Sequence, residues 1–176
     1  MSRLGLAGTI TSVALILVTL VLAVKGGGSK EGKPSDAAHF ATVEELVNLS
    51  EDLGQQIYWA GERPPDRVEV RGEPDGEVYL RYLPPGVDAG DPAPSYLTVG
   101  TYPVPDAQKA LRRAAGAAGA SVERLAGGSL LFRNPRSEGS VYLADPGSDL
   151  QIEVYHPRPG TAMRLAQAGA IRPVGR

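Results

Sequence analysis

The spacing of apolar and polar residues changes character along this chain, and each change predicts a different element. From Leu4 to Val24 there is no alternation: 21 consecutive residues carry no charge, and most are apolar. At about 1.5 Å per residue, a helix over this run is roughly 30 Å long, the thickness of a bilayer's hydrocarbon core. Thr9, Thr11, Ser12 and Thr19 fit such a helix, because a hydroxyl can bond back to a carbonyl one turn earlier. A period near 3.6 appears at three later places. Val43, Leu46, Val47, Ser50 and Leu53 share one helical face, opened by a Thr42/Glu45 capping box and closed by Gly54. A second helix follows Asp106 as N-cap, with a smooth stripe of Ala107, Ala110, Leu111, Ala114 and Ala118; a third runs from Thr161 to Gly169.

Between these helices the period is 2. Arg67–Arg71, Glu77–Tyr82, Leu97–Tyr102, Leu130–Arg133, Val141–Ala144 and Leu150–Tyr155 read as strands, with weaker ones at Gln56–Ala60 and Ser121–Leu125. Glu73–Gly76 and Asn134–Gly139 carry the Pro, Gly, Asn and Asp of tight turns. Alternation also assigns faces. Val68, Val70, Val78, Leu80, Leu97, Val99, Phe132, Val141, Leu143, Leu150, Ile152 and Val154 point towards the helices. Arg67, Glu69, Arg71, Tyr79, Arg81, Tyr102, Arg133, Tyr142, Glu153 and Tyr155 point the other way. One buried and one mixed polar-aromatic face is the mark of an antiparallel sheet. The expected fold class is therefore α+β, with the helices on one face of the sheet.

The strands also repeat. Val68–Arg71, Val78–Leu80 and Pro84–Gly86 resemble Leu130–Arg133, Val141–Leu143 and Asp145–Gly147, and each block ends in a strand closing on a tyrosine, Tyr102 or Tyr155. Arg71 aligns with Arg133 and Tyr79 with Tyr142, which predicts two pseudo-repeats of four strands plus a helix, preceded by one more helix.

The chain divides into three segments: an anchor over residues 1–25, a tether over 26–35 and a single α+β domain over 36–176. The tether, Gly26–Ser35, is almost free of apolar side chains. Two readings fit the first segment. A cleaved signal peptide would use Arg3 as its positive end and Val21-Leu22-Ala23 as its cleavage site, but the apolar run exceeds the usual signal core of about 7–15 residues, which favours a retained anchor in the lipid bilayer through residues 4–24. Lys25, Lys30 and Lys33 would draw the flank after the run to the cytoplasm. A short stub before a long apolar run instead exports the rest of the chain, and the expectation is a cell-membrane protein with its C-terminal domain extracytoplasmic.

Charge narrows the partners. Four of the 18 basic residues and one of the 20 acidic ones precede Asp36, so the body holds 14 and 19, a net of −5 against −2 for the whole chain. An acidic body is poorly suited to nucleic acid. The chain has no cysteine and two histidines, His39 and His156, which excludes disulfides and thiolate metal sites and disfavours a histidine metal centre. No phosphate-binding or G-x-S-x-G motif occurs; Ser129, Ser140 and Ser148 would have to recruit a distant histidine to act as nucleophiles. Asp145–Asp149, like Asp88 and Asp91, reads as turn chemistry rather than a calcium loop, and Trp59 as a packing residue. No catalytic residue, metal or cofactor is predicted.

The tyrosine–arginine face remains. Tyr and Arg combine flat apolar area with hydrogen-bond donors, which enriches both at binding hot spots. Tyr79, Arg81, Tyr102, Arg133, Tyr142 and Tyr155 are the candidate binding residues, for an envelope protein or a small envelope ligand. Tyr58–Gly61, Tyr79–Val87, Tyr96–Pro103 and Ser148–Tyr155 resemble signatures of small, N-terminally membrane-anchored proteins of uncharacterised function from high-GC Gram-positive bacteria. That resemblance covers nearly the whole body and implies an envelope location but no reaction. The expectation is a single-pass, non-enzymatic envelope interaction domain. The alternative is a carrier or sensor of a small ligand on the tyrosine–arginine face.

Overall fold

The computed structural model describes residues 37–120, 122–134 and 137–175. In chain order these form β1 (His39–Phe40), α1 (Val43–Leu53), β2 (Tyr58–Trp59), β3 (Arg67–Gly72), β4 (Val78–Leu83), β5 (Leu97–Pro103), α2 (Ala107–Ala117), β6 (Val122–Arg124), β7 (Leu130–Arg133), β8 (Ser140–Ala144), β9 (Leu150–Tyr155), α3 (Thr161–Gln167) and β10 (Arg172–Pro173). The fold is α+β. The predicted anchor and tether lie outside the described residues; among the described residues no helix is long and apolar enough to cross a membrane.

Eight strands form one sheet in the order β1-β3-β4-β5-β9-β8-β7-β6, and every neighbouring pair is antiparallel. The middle of the sheet is the β5–β9 ladder, where Gly100 faces Glu153. Tyr79 flanks Gly100 from β4, and Tyr142 flanks Glu153 from β8. The short pair β2–β10 lies outside this sheet.

Local chemistry accounts for the helix ends. Glu45 N–H donates to Thr42 Oγ1 at 3.2 Å, Thr42 N–H donates to Glu45 Oε2 at 2.7 Å, and Gly54 closes α1 at φ 62°. These bonds hold the Glu45 carboxyl below its ordinary range, the backbone one first. Asp106 departs from expectation. It precedes α2 in a left-handed conformation (φ 52°), and its side chain caps nothing. Its own N–H donates to Asp149 Oδ1 at 2.9 Å, while Val104 and Ala107 donate to Asp149 O and Ser148 O. The chain entering α2 is thus pinned to the β8–β9 hairpin, and this pinning replaces the side-chain cap.

The helices occupy both faces of the sheet, not one. Leu46 of α1 packs with Val70, Val78 and Leu80, together with Ile57 and the buried Trp59. Ala162 and Ala166 of α3 pack with Leu131, Val141, Leu143, Ile152 and Val154 on the same side. Helix α2 lies against β7, β8 and β9 as well, and its buried residues Ala107, Ala110, Leu111, Ala114 and Ala115 belong to neither of those clusters. It covers the opposite face, where Leu130, Phe132, Tyr142 and Ala144 are all buried. The physical reason is a one-residue difference in register. Phe132 pairs with Tyr142 and Arg133 with Val141, so Phe132 stands on the tyrosine face and Arg133 on the other. That makes the tyrosine face of β7 and β8 apolar, and a helix of small side chains can approach it closely.

Candidate functional site

The tyrosine face is organised around Glu153, which is only 8% exposed. Tyr102 stands two residues beyond Gly100 on β5, and its ring leans back along the strand into the space above the glycine. A Cβ on Gly100 would lie 2.6 Å from the Tyr102 hydroxyl. From there the hydroxyl donates to Glu153 Oε2 at 2.8 Å, and Tyr142 donates to Oε1 at 3.1 Å from the neighbouring strand. Tyr79 meets Tyr102 edge-on, with centroids 5.6 Å apart at 83°, and donates its own hydroxyl to Glu77 Oε2 at 2.5 Å. Phe132 stacks on Tyr142 at 6.0 Å and extends the row.

This arrangement dictates the electrostatics. Burial pushes the Tyr102 and Tyr142 phenols well above their ordinary range, and the Glu153 charge pushes them further. Tyr79 moves the same way through burial and its bond to Glu77. Burial also raises the Glu77 carboxyl, partly offset by the Tyr79 hydroxyl that it accepts. Phenols in this state are locked donors.

A second carboxylate organises the other half of the face. Glu69 is 2% exposed. Arg81 Nε lies 3.2 Å from Glu69 Oε1, and Gly90 N–H donates to Oε2 at 2.5 Å. Arg81 also donates to Asp91 O at 2.6 Å and stands 5.2 Å over the Tyr96 ring, while Tyr96 and Ala93 N–H both bond Asp91 Oδ1. The Pro-rich segment between β4 and β5 is thereby fastened to the sheet.

The six candidate residues therefore divide. Tyr102 and Tyr142 are buried in the network around Glu153. Tyr79 and Arg81 are half-buried, and Arg81 serves the loop. Tyr155 is half-buried and packs its ring into the space left by Gly139, where a Cβ would be 2.7 Å away. Arg133 is exposed on the opposite face, apart from the tyrosines. The expected open patch of paired aromatic rings is thus not what the fold builds. What remains accessible beside it is a shallow concavity of about 430 Å³, lined by Glu73, Pro74, Asp75, Glu77 and Tyr79.

One further cluster joins distant parts of the chain. Ser129 Oγ and the Tyr58 hydroxyl both donate to Asp145, to Oδ1 and Oδ2, each at 2.6 Å. Ser129 thus faces a carboxylate, while His156 stands at the far end of β9. Asp145 and Asp149 are engaged by hydrogen-bond donors of the chain itself, in keeping with turn chemistry. Among the described residues no three His, Asp or Glu side chains are grouped to hold a metal ion. Neither Glu153 as a hub nor Ser129–Asp145–Tyr58 is visible in spacing, since each joins residues from separate strands. The chain matches no protein-family model, and neither curated proteins nor solved structures give a significant match.

Proposed function

We propose that this chain is a single-pass membrane protein whose folded body is a non-enzymatic interaction domain of the cell envelope. Residues 4–24 would anchor it in the bilayer, and the tether over 26–35 would hold the body on the extracytoplasmic side. The observation that carries the non-catalytic part is that three carboxylates, the buried Glu153 and Glu69 and the half-buried Asp145, are held from within. Both oxygens of Glu153, Glu69 and Asp145 are taken by partners from other strands or loops. Carboxylates held this way spend their charge on joining strands rather than on moving protons. The resemblance to small anchored proteins of high-GC Gram-positive bacteria supports the same reading.

The body would also be a duplication of a unit of four strands plus a helix, with β2–β3–β4–β5–α2 and β6–β7–β8–β9–α3 as its two copies and α1 in front. Matching Tyr79 with Tyr142 and Gly100 with Glu153 carries the pair Val78–Thr101 onto Val141–Val154 and Leu80–Val99 onto Leu143–Ile152. A small-ligand carrier is the second reading, supported by the concavity beside Tyr79. Ligand binding there would raise Tm in small-molecule filtrates of envelope extract.

The test is protease treatment of intact cells carrying the full chain with a C-terminal epitope. The expected result is a chain in the membrane pellet whose body is digested from outside. A chain recovered in the high-speed supernatant with residues 1–24 intact overturns the anchor, and a protected body overturns the topology.

A further inference from the structure

The outer face of α2 is basic, in a body whose net charge is −5. Ala107, Ala110, Leu111, Ala114 and Ala115 are buried against the sheet, which leaves Lys109, Arg112, Arg113 and Gly116 exposed on the other side. At about 3.6 residues per turn these four fall within an arc of about 100°. Arg124 extends the row. It pairs with Leu130 in the β6–β7 ladder, and so stands on the side of the sheet that α2 covers. Arg124 Nη1 and Gln108 Nε2 of α2 both donate to Gly128 O, at 3.3 and 3.0 Å. Glu123 pairs with Leu131 and turns to the opposite side, where its carboxylate accepts from Gln167 Nε2 of α3 at 3.0 and 3.1 Å.

Among the described residues the ion pairs are Arg71–Glu73 and Arg81–Glu69, so Lys109, Arg112, Arg113 and Arg124 have no carboxylate within 4 Å. Helix formation does not account for these charges. Lys109 lies in the first turn, where the helix dipole favours an anion, and Lys109 and Arg113, four residues apart, repel each other. The face also lacks the apolar anchor around which a protein interface is built. Leu53 of α1 is the one large hydrophobic side chain exposed among the described residues, and α2 ends outwards in Gly116 and Ala117. A flat row of cations suits a partner that is itself flat, diffuse and anionic.

We propose that the outer face of α2, with Arg124, docks on the anionic phospholipid headgroups of the bilayer that holds the anchor. The proposal rests on the membrane reading above. Each cation near an anionic surface is worth roughly fivefold, so four give a protein free in solution only roughly millimolar binding. For a body held by a tether the contact is intramolecular, and the same four charges suffice. The chain is long enough. Residues 25–36 extend to at most about 40 Å. Helix α2 lies against β7, β8 and β9, four to six strand spacings, or about 20–30 Å, from β1 at the start of the described body.

The experiment uses the full chain in lipid nanodiscs. The chain has no cysteine, so Gly116→Cys, where a Cβ meets nothing within 4 Å, takes a single spin label in the middle of the face. Asn48→Cys, at an exposed position of α1, is the control. Adding phosphatidylglycerol to phosphatidylcholine discs should cut collisions of the 116 label with a water-soluble nickel chelate several-fold and leave the 48 label unchanged. Salt at about 1 M, where the Debye length is about 3 Å, should restore them. The triple variant Lys109→Gln/Arg112→Gln/Arg113→Gln should lose the shielding with Tm unchanged, since all three positions are exposed. Equal collision rates on neutral and anionic discs overturn the proposal and leave the face to an acidic protein. Shielding that survives the triple substitution overturns it too. Failure of the anchor is read separately, as loss of the chain from neutral discs. A chain lost from those but shielded at 116 on anionic ones overturns the anchor and supports the docking face.

Discussion

Tyr102 depends on Gly100. The ring lies where any side chain at position 100 would have to go, with its hydroxyl, Cζ and Cε2 at 2.6, 2.8 and 2.9 Å from the point a Cβ would occupy. Because Gly100 faces Glu153 across the β5–β9 ladder, the absence of a side chain is what lets the phenol reach the carboxylate. Gly100→Ala adds one methyl group and displaces the ring from a fully packed site, at a cost of about 1–3 kcal/mol. Denaturant unfolding of the full chain measures it. A change below about 0.5 kcal/mol, the range of an ordinary surface substitution, would separate Tyr102 from its partner.

The buried phenols make the protein sensitive to alkali. Burial pushes the Tyr82 hydroxyl up to about 12 from an ordinary value of 10.0, and the phenols of Tyr79, Tyr102 and Tyr142 are raised too. A raised native value means that the unfolded chain releases these protons first. Stability is therefore unaffected by them below pH 10 and falls as pH rises from 10 through 12. Tyrosinate absorbance should show these four ionising together with loss of the fold. Tyr82→Phe blunts the fall, and it costs about 1–3 kcal/mol at neutral pH because Ala60 N–H loses its acceptor, 2.7 Å away.

Glu69 and Arg81 form a pair in which removal of one partner is worse than removal of both. Arg81→Met leaves a carboxylate that is 2% exposed without its counter-charge, which costs about 3 kcal/mol. The double variant Glu69→Gln/Arg81→Met should recover most of that loss. Amide exchange at Gly90, which donates to Glu69, should quicken in the single variant. Equal destabilisation in the single and double variants would show that the loop is held by something other than this pair.

The difference between what was legible and what was not tracks the range of the interactions. The Thr42–Glu45 capping box and the Gly54 stop are local chemistry, and they appear where the spacing places them. Each long strand is recovered to within a residue or two, since period 2 is a local property too. The second helix is in place, but alternation carries no information about which face of the sheet it covers. That depends on Phe132 and Leu130 being on the tyrosine side, a consequence of register between separate strands. The tyrosines at 79, 102 and 142 do share a face, yet the burial of Tyr102 and Tyr142 could not be inferred, because it depends on partners from separate strands and on a helix from elsewhere in the chain. Glu153 becomes meaningful only once strands from separate parts of the chain are paired.

The β7 register can be tested by two adjacent substitutions with opposite expectations. Phe132 is 1% exposed, stacked on Tyr142 in the part of the sheet covered by α2, so Phe132→Ala opens a cavity costing about 3–5 kcal/mol. Arg133, one residue on, is exposed at the strand end opposite Val141 and has no carboxylate partner among the described residues. Arg133→Ala should therefore change stability by less than about 0.5 kcal/mol. Were the ladder shifted by one residue, Arg133 would stand opposite Tyr142 on the tyrosine face, and Phe132 would turn to the valine side. The pair of measurements then separates the two registers: a costly Arg133→Ala rejects the ladder described above, because only a guanidinium packed against the Tyr142 ring would be missed.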